Sequence, residues 1–328
     1  MYDYFMEKLV YQMFILGTGD VNINGLHLEQ ALSKGLGGVI YFTRDIENKN
    51  QFCNLIKEHK SKALIPPFLS IDQEGGRVER TENIHERYLS PAFAYKKGKD
   101  FLIKQTENIA KELREYGINL NFAPCADVNT NPQNPIIGER AFSDNPNDVI
   151  DGVRTVSMIY KNDGIIPCIK HYPGHGDADK DSHLTLPVID LPLEVMEQVH
   201  ISPFKSAIAE GADMIMAAHL YCTCFDKEVI PASLSQNALD YLRSKLKYDG
   251  VVISDDMVMK GVQKYGSLEA VIRGINAGLD MFIYRDADEL AIDTIESLIK
   301  ISETDENLRQ KILNSNRRIK LLKEKYGI

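Results

Sequence analysis

Residues 170–183 read Lys-His-Tyr-Pro-Gly-His-Gly-Asp-Ala-Asp-Lys-Asp-Ser-His. They hold three of the chain's eight histidines, with three aspartates and two lysines. The segment directly follows an apolar run, Gly164–Ile169, that reads as a buried strand. So many titratable groups on a Pro/Gly-rich loop do little for stability and suit a site where protons move. Asp181 and His183 lie two positions apart. On a helix they would face different ways. On a loop the carboxylate can reach the imidazole, favour its protonated form and fix its orientation, which makes an acid/base catalyst. The alternative is a solvated acidic loop of Asp177, Asp179 and Asp181.

The alternation His175, Asp177, Asp179, Asp181, His183 also raises a metal site. Counting from Asp177, a calcium loop requires Gly at its sixth position and Glu at its twelfth. The chain has Ser182 and Val188 there. Metal-dependent barrel hydrolases usually carry an H-x-H at the first strand end, and Leu16–Asp20 contains no histidine. No metal and no other cofactor is expected. Cys222-Thr223-Cys224 is a C-x-C with no second pair nearby and reads as two ordinary thiols.

Three more segments carry chemistry. Val251–Met257 is an apolar strand ending in Asp255 and Asp256. A carboxylate on a rigid strand end suits a covalent nucleophile at a glycosyl centre, and an Asp at such a turn equally suits a helix cap. Asp72–Arg80 places an acid at a strand end, two glycines for close backbone approach, then arginines. That suits binding of sugar hydroxyls, or a tight turn with a surface salt bridge. No G-K-[S/T] follows, so it is not a phosphate loop. Arg140, in an Asn- and Pro-rich loop, either reaches into a site or pins its loop through backbone carbonyls.

These residues need a scaffold. Eight short apolar runs recur: Gln12–Gly17, Gly38–Phe42, Phe68–Ile71, Leu120–Ala123, Ile165–Ile169, Met214–Ala218, Val251–Ile253 and Met281–Tyr284. They are near-continuous rather than alternating, as parallel strands buried on both faces are. Amphipathic stretches separate them. Phe101–Tyr116 ends at Gly117, Ser267–Ala277 ends at Gly278, and Ser235–Tyr248 begins with a capping serine. Thr304–Tyr326 carries Lys and Arg in its C-terminal half, as the helix dipole favours. The fold class expected is α/β: a single (β/α)₈ TIM-type barrel, allowing irregular strands, with C-terminal helices, as one domain over 1–328. A doubly wound sheet is the rival. The barrel is preferred because Asp72, Asp127, Lys170, His171, His219, Asp255, Asp256 and Arg285 follow six different strands, and only a barrel gathers them on one rim.

Composition bounds the function classes. Hydrophobic residues make up 44% and charged residues 26% of 328, ordinary for a soluble globular protein. Acidic residues outnumber basic ones 47 to 38, a net charge of −9, so no nucleic-acid partner is expected. The start, Met1–Lys8, lacks the apolar core of a secretion signal. No apolar run approaches the roughly 20 residues that span a bilayer, so no membrane partner is expected either. Five scattered cysteines fit a reducing compartment, and the expected location is cytoplasmic.

Together these segments resemble bacterial family 3 glycoside hydrolases, in particular the single-domain β-N-acetylglucosaminidases of peptidoglycan recycling. Lys170–His183 is similar to that subgroup's K-H-[F/Y]-P-G-H-G-D-x-x-x-D-S-H. Asp72–Arg80 is similar to its D-Q-E-G-G-x-V-x-R, Asn134–Phe142 to its N-P-x-I-G-x-R-x-F, and Ser254-Asp255-Asp256 to its nucleophile strand. Ala178 and Val258 stand where the family more often has hydroxylic residues, and neither position is catalytic. The resemblance implies Asp255 as nucleophile, His183 as general acid/base and Asp181 as its partner. Asp72, Arg80, Arg140, Lys170 and His171 would hold the sugar. Larger relatives take their acid/base from a second domain; no room for one follows the eighth strand, so the His183 loop is expected to supply it. The implied activity is a retaining β-N-acetylhexosaminidase acting on terminal β-linked GlcNAc of a small carbohydrate or muropeptide, as a monomer. A phosphorylase using the same site, or a related β-glycosidase, is the alternative.

Overall fold

The computed structural model describes residues 2–19, 21–178 and 186–328. Each of the eight apolar runs falls on a strand: β1 (Phe14–Gly17), β2 (Gly38–Tyr41), β3 (Phe68–Ile71), β4 (Leu120–Asn121), β5 (Ile166–Tyr172), β6 (Met214–Ala217), β7 (Val251–Asp256) and β8 (Met281–Tyr284). They close into a barrel in chain order, every neighbour parallel, with β8 returning to β1 through Phe14 opposite Phe282. The expected TIM-type barrel is what forms. Residues of β1, β2, β3, β6 and β8 are buried along their whole length, which is why these segments read as unbroken apolar runs.

Two strands run further than their apolar residues suggest. β5 continues three residues past Ile169 and β7 three residues past Ile253. Lys170, His171, Asp255 and Asp256 therefore sit within the strands' extended backbone rather than on loops. The pairing of β5 with β6 slips between Ile169 and Tyr172, and that of β7 with β8 slips between Met281 and Ile283. Both irregularities fall where the polar residues leave the ladder.

The helices follow the expected pattern with two differences. Lys99–Tyr116 and Ser267–Ala277 end at Gly117 and Gly278, with φ of 96° and 124°. The stretch from Ser235 is not one helix to Tyr248. Ser235 caps Gln236–Asp240, the chain widens into a π turn over Tyr241–Lys245, and Lys247 takes φ 57°, which ends it. The last helix begins at Glu306, because extended Asp305 separates it from Glu289–Thr304 and caps it through the Leu308 N–H.

A parallel ribbon, Val188–Ile189 with Tyr221–Cys222, stands apart from the barrel. Beside it Ala178, Ile189, Met196, Leu220 and Cys222 form a small separate apolar cluster. Among the described residues, no helix is long and apolar enough to cross a membrane.

Candidate active site

A cavity of about 440 Å³ opens at the C-terminal rim of the barrel. Ile40, Phe122, Met216 and Ile283, all from the strands or their ends, form its apolar floor. Its walls carry Asp72, Glu74, Arg80, Arg140, Lys170, His171, His175, Asp255, Asp256 and Arg285. The fold thus gathers six of the eight expected site residues, contributed by four segments of the chain. The other two, Asp181 and His183, lie outside the described residues.

The most buried part is a charge network. Lys170, 2% exposed, donates from Nζ to Asp72 Oδ1 at 2.7 Å and to Glu74 Oε1 at 2.5 Å. Arg140 grips the same Glu74 with two bonds, Nε to Oε2 at 2.9 Å and Nη2 to Oε1 at 2.8 Å. Burial alone would raise the Glu74 carboxyl, but the Arg140 and Lys170 charges outweigh it and hold it well below the usual range. Burial likewise opposes the charged Lys170, and the Asp72 and Glu74 carboxylates reverse that, so its ammonium is held more tightly than in water. Arg140 also donates to the Ile136 carbonyl at 3.3 Å. It therefore does both things expected of it: it pins its loop and it forms part of the cavity wall.

Next to this network, His171 is bonded through Nδ1 to Asp127 Oδ2 at 2.7 Å, and its Nε2 faces Arg140 Nη2 at 3.3 Å. Asp127 is fully buried and also accepts the His175 N–H at 2.6 Å. Burial would raise its carboxyl, and the His171 and His175 groups hold it low instead. Asp127 fixes the ring that Arg140 touches, as a carboxylate behind a functional histidine does. Arg80 approaches Asp72 at 3.6 Å and lies 5.5 Å over the Phe42 ring.

Asp255 and its neighbour differ in kind. Asp255 accepts the Asp256 N–H at 2.8 Å. Burial pushes its carboxyl up; the nearby His171, His219 and Lys170 groups and that N–H overcome the push and leave it below the ordinary range. Asp256 accepts from Arg285 Nε and, at 3.2 Å, from the Val258 N–H; burial outweighs these and its carboxyl is raised. Neither acid caps the short helix Lys260–Gln263, whose N-cap is Met259. The adjacent positions are thus divided: Asp256 braces the β7–β8 rim, and Asp255 is kept ionised on the cavity wall.

Sequence reasoning did not single out Glu74, although it lies inside the Asp72–Arg80 segment. The usable signal was charge balance, since Lys170 and Arg140 cannot both be buried without a second acid. A metal-capable cluster also stands elsewhere than the loop that suggested one. Cys125, Asp127 and His171 bring ligand-type atoms within 4.8 Å of one another. Those atoms engage each other, Cys125 Sγ donating to Asp127 Oδ2 at 3.1 Å alongside the His171 bond.

Known proteins agree with this architecture. A family model described as the glycosyl hydrolase family 3 N-terminal domain matches residues 6–322. A β-hexosaminidase A of Pseudoalteromonas piscicida is 35% identical over 269 residues, covering 75% of this chain and 45% of that protein. A β-hexosaminidase of Xylella fastidiosa strain 9a5c is 31% identical over 283 residues, covering 83% and 82%. The solved structure of a glycoside hydrolase family 3 β-N-acetylglucosaminidase from Paenibacillus sp. str. FPU-7 superimposes with a TM-score of 0.90 at 30% identity. That match covers 98% of this chain and 62% of the other. The chain so spans under half of the first relative and under two thirds of the solved structure, but most of the second relative. By the matched domain and the rim geometry together, this chain belongs to glycosyl hydrolase family 3.

Proposed function

We propose that this protein is a retaining β-N-acetylhexosaminidase that removes terminal β-linked GlcNAc, with a peptidoglycan-derived muropeptide as its natural substrate. The observation that carries the reading is Asp255: an ionised carboxylate fixed within a strand, on the wall of a sugar-sized rim cavity. The names of the relatives support the sugar. The muropeptide rests on the resemblance of Lys170–His183 to the recycling enzymes.

The chemistry follows from the roles that the family resemblance implies for Asp255, His183 and Asp181. Asp255 attacks the anomeric carbon and forms a covalent glycosyl-enzyme, while a proton passes from His183 to the departing oxygen. His183 then takes a proton from water, which releases the sugar with its configuration retained. Asp181 keeps His183 protonated for the first step. Lys170 and Arg140 neutralise the buried acids, so Asp72 and Glu74 do not compete with Asp255 for positive charge developing at the sugar.

His183→Ala tests the proton donor on two aglycones. A nitrophenyl group departs with little protonation, so the glycosylation step should suffer far more with a disaccharide than with the aryl glycoside. Equal losses on both would contradict the acid role. Product analysis in phosphate buffer tests the nucleophile of the second step: free GlcNAc supports hydrolysis, and GlcNAc-1-phosphate would mark a phosphorylase.

A further inference from the structure

His175 has a fixed backbone and, among the described residues, a ring without a hydrogen bond. Its N–H donates to Asp127 Oδ1 at 2.6 Å, and its carbonyl accepts from Asn134 Nδ2 at 2.8 Å. Glycines on both sides lock the chain path. A Cβ on Gly174, at φ 124°, would lie 2.7 Å from His200 Cβ, and one on Gly176 would lie 1.7 Å from the Val128 carbonyl oxygen. The ring is 3% exposed and borders the rim cavity. Among the described residues neither of its nitrogens has a hydrogen-bond partner. Burial pushes its imidazole down to about 4, so near neutral pH the ring presents one N–H and one lone pair.

Buried polar atoms without a protein partner are disfavoured, and each one asks for a reason. Both ring nitrogens are in that state here, on a segment whose backbone has been anchored in detail. Among the described residues, the same cavity wall holds one other such atom, Arg80 Nε, on a residue already expected to bind sugar. His171 cannot satisfy His175, because its Nδ1 is taken by Asp127 and the two rings stand 6.1 Å apart at 70°.

We propose that His175 is a substrate-contacting residue, hydrogen bonding a hydroxyl or the N-acetyl amide of the sugar bound against Asp255. Either group matches a neutral donor–acceptor ring. The proposal rests on the reading of the cavity as a GlcNAc site.

The test compares wild type, His175→Leu and His175→Gln, with Asp255→Asn as control. Turnover of an aryl β-N-acetylglucosaminide, binding of GlcNAc and thermal midpoint are read on each. His175→Leu should lower kcat/KM roughly 5- to 30-fold and weaken GlcNAc, with a thermal midpoint equal to or above wild type because the unpaired polar atoms are gone. His175→Gln should recover part of the loss. The same titration with glucosamine separates the two contacts: an amide contact makes His175→Leu indifferent to glucosamine, and a hydroxyl contact does not. Wild-type kcat/KM and GlcNAc affinity in His175→Leu would overturn the proposal. So would a midpoint that falls with activity and no recovery in His175→Gln. A wild type that neither cleaves the glycoside nor binds GlcNAc defeats the parent reading and this one together. An active wild type with an indifferent His175→Leu defeats only this one.

Discussion

Two lysines are buried at opposite ends of the barrel, Lys170 at 2% and Lys323 at 5% exposure, and their charges fare oppositely. Lys170, on the C-terminal rim, meets two carboxylates and its ammonium is held above the ordinary range. Lys323, on the last helix, closes the N-terminal mouth. It donates to Gln12 Oε1 and to the Pro66 carbonyl, both at 2.8 Å, and lies 5.0 Å over the Phe68 ring. Among the described residues no carboxylate pairs with it, and burial pulls it down to about 7. Burial alone therefore does not decide a lysine's charge; the acids around it do. The rim is a compensated ionic network that carries chemistry, and the mouth is a seal whose buried lysine gives up its proton far more easily.

The largest effect expected belongs to the rim. Asp255→Asn should lower turnover on the order of 10³-fold or more with the thermal midpoint preserved, because the side chain keeps its shape and loses only its nucleophile. Near-wild-type rates would show that Asp255 is not the nucleophile. Next comes Glu74→Gln. It strips one acid from two buried cations and should cost about 3–5 kcal/mol of stability, seen in a denaturant titration, together with activity. A change below about 1 kcal/mol would mean that the rim is not held together by compensation.

Lys323→Met probes the seal and should leave activity intact. Its signature is in the pH dependence. The folded pKa is near 7 and the unfolded one near 10.4, so the folded state sheds its proton first as pH rises. Below 7 both states are protonated and the burial penalty is at its full size. Between 7 and about 10 the wild type should gain on Lys323→Met by up to about 1.4 kcal/mol per pH unit. A pH-independent difference between the two would show that Lys323 stays charged. The smallest effect is expected for Arg44→Ala. Its pair with Asp286, at 2.5 Å, is 46% and 31% exposed, and such pairs contribute about 0–1 kcal/mol.

The rim was legible in the sequence because its chemistry ends apolar strands, which fixes both the residues and the face they share. All eight strands could be seen for the same reason. What stayed hidden depends on burial of charged groups. Glu74 is one of three acids between Asp72 and Glu79, and nothing local marks it as the one that two cations enclose. Lys323 is one of several basic residues in the final helix and reads as a dipole-favoured surface charge, yet it is the one turned inward. The Val188–Ile189 and Tyr221–Cys222 ribbon has two residues per strand, too few to show a period. The π turn after Asp240 keeps the helical apolar spacing for a while, so only the positive φ of Lys247 reveals where that helix stops.

During turnover Asp255 is expected to become covalently bonded to the sugar. An activated 5-fluoro N-acetylglucosaminyl fluoride, which slows the second step, should accumulate the intermediate. Peptide mass mapping should then place one sugar on Asp255, and hydrolysis should restore activity as the label leaves. A label on Asp256 or another residue, or steady turnover of the natural glycoside with inverted configuration, would contradict the account.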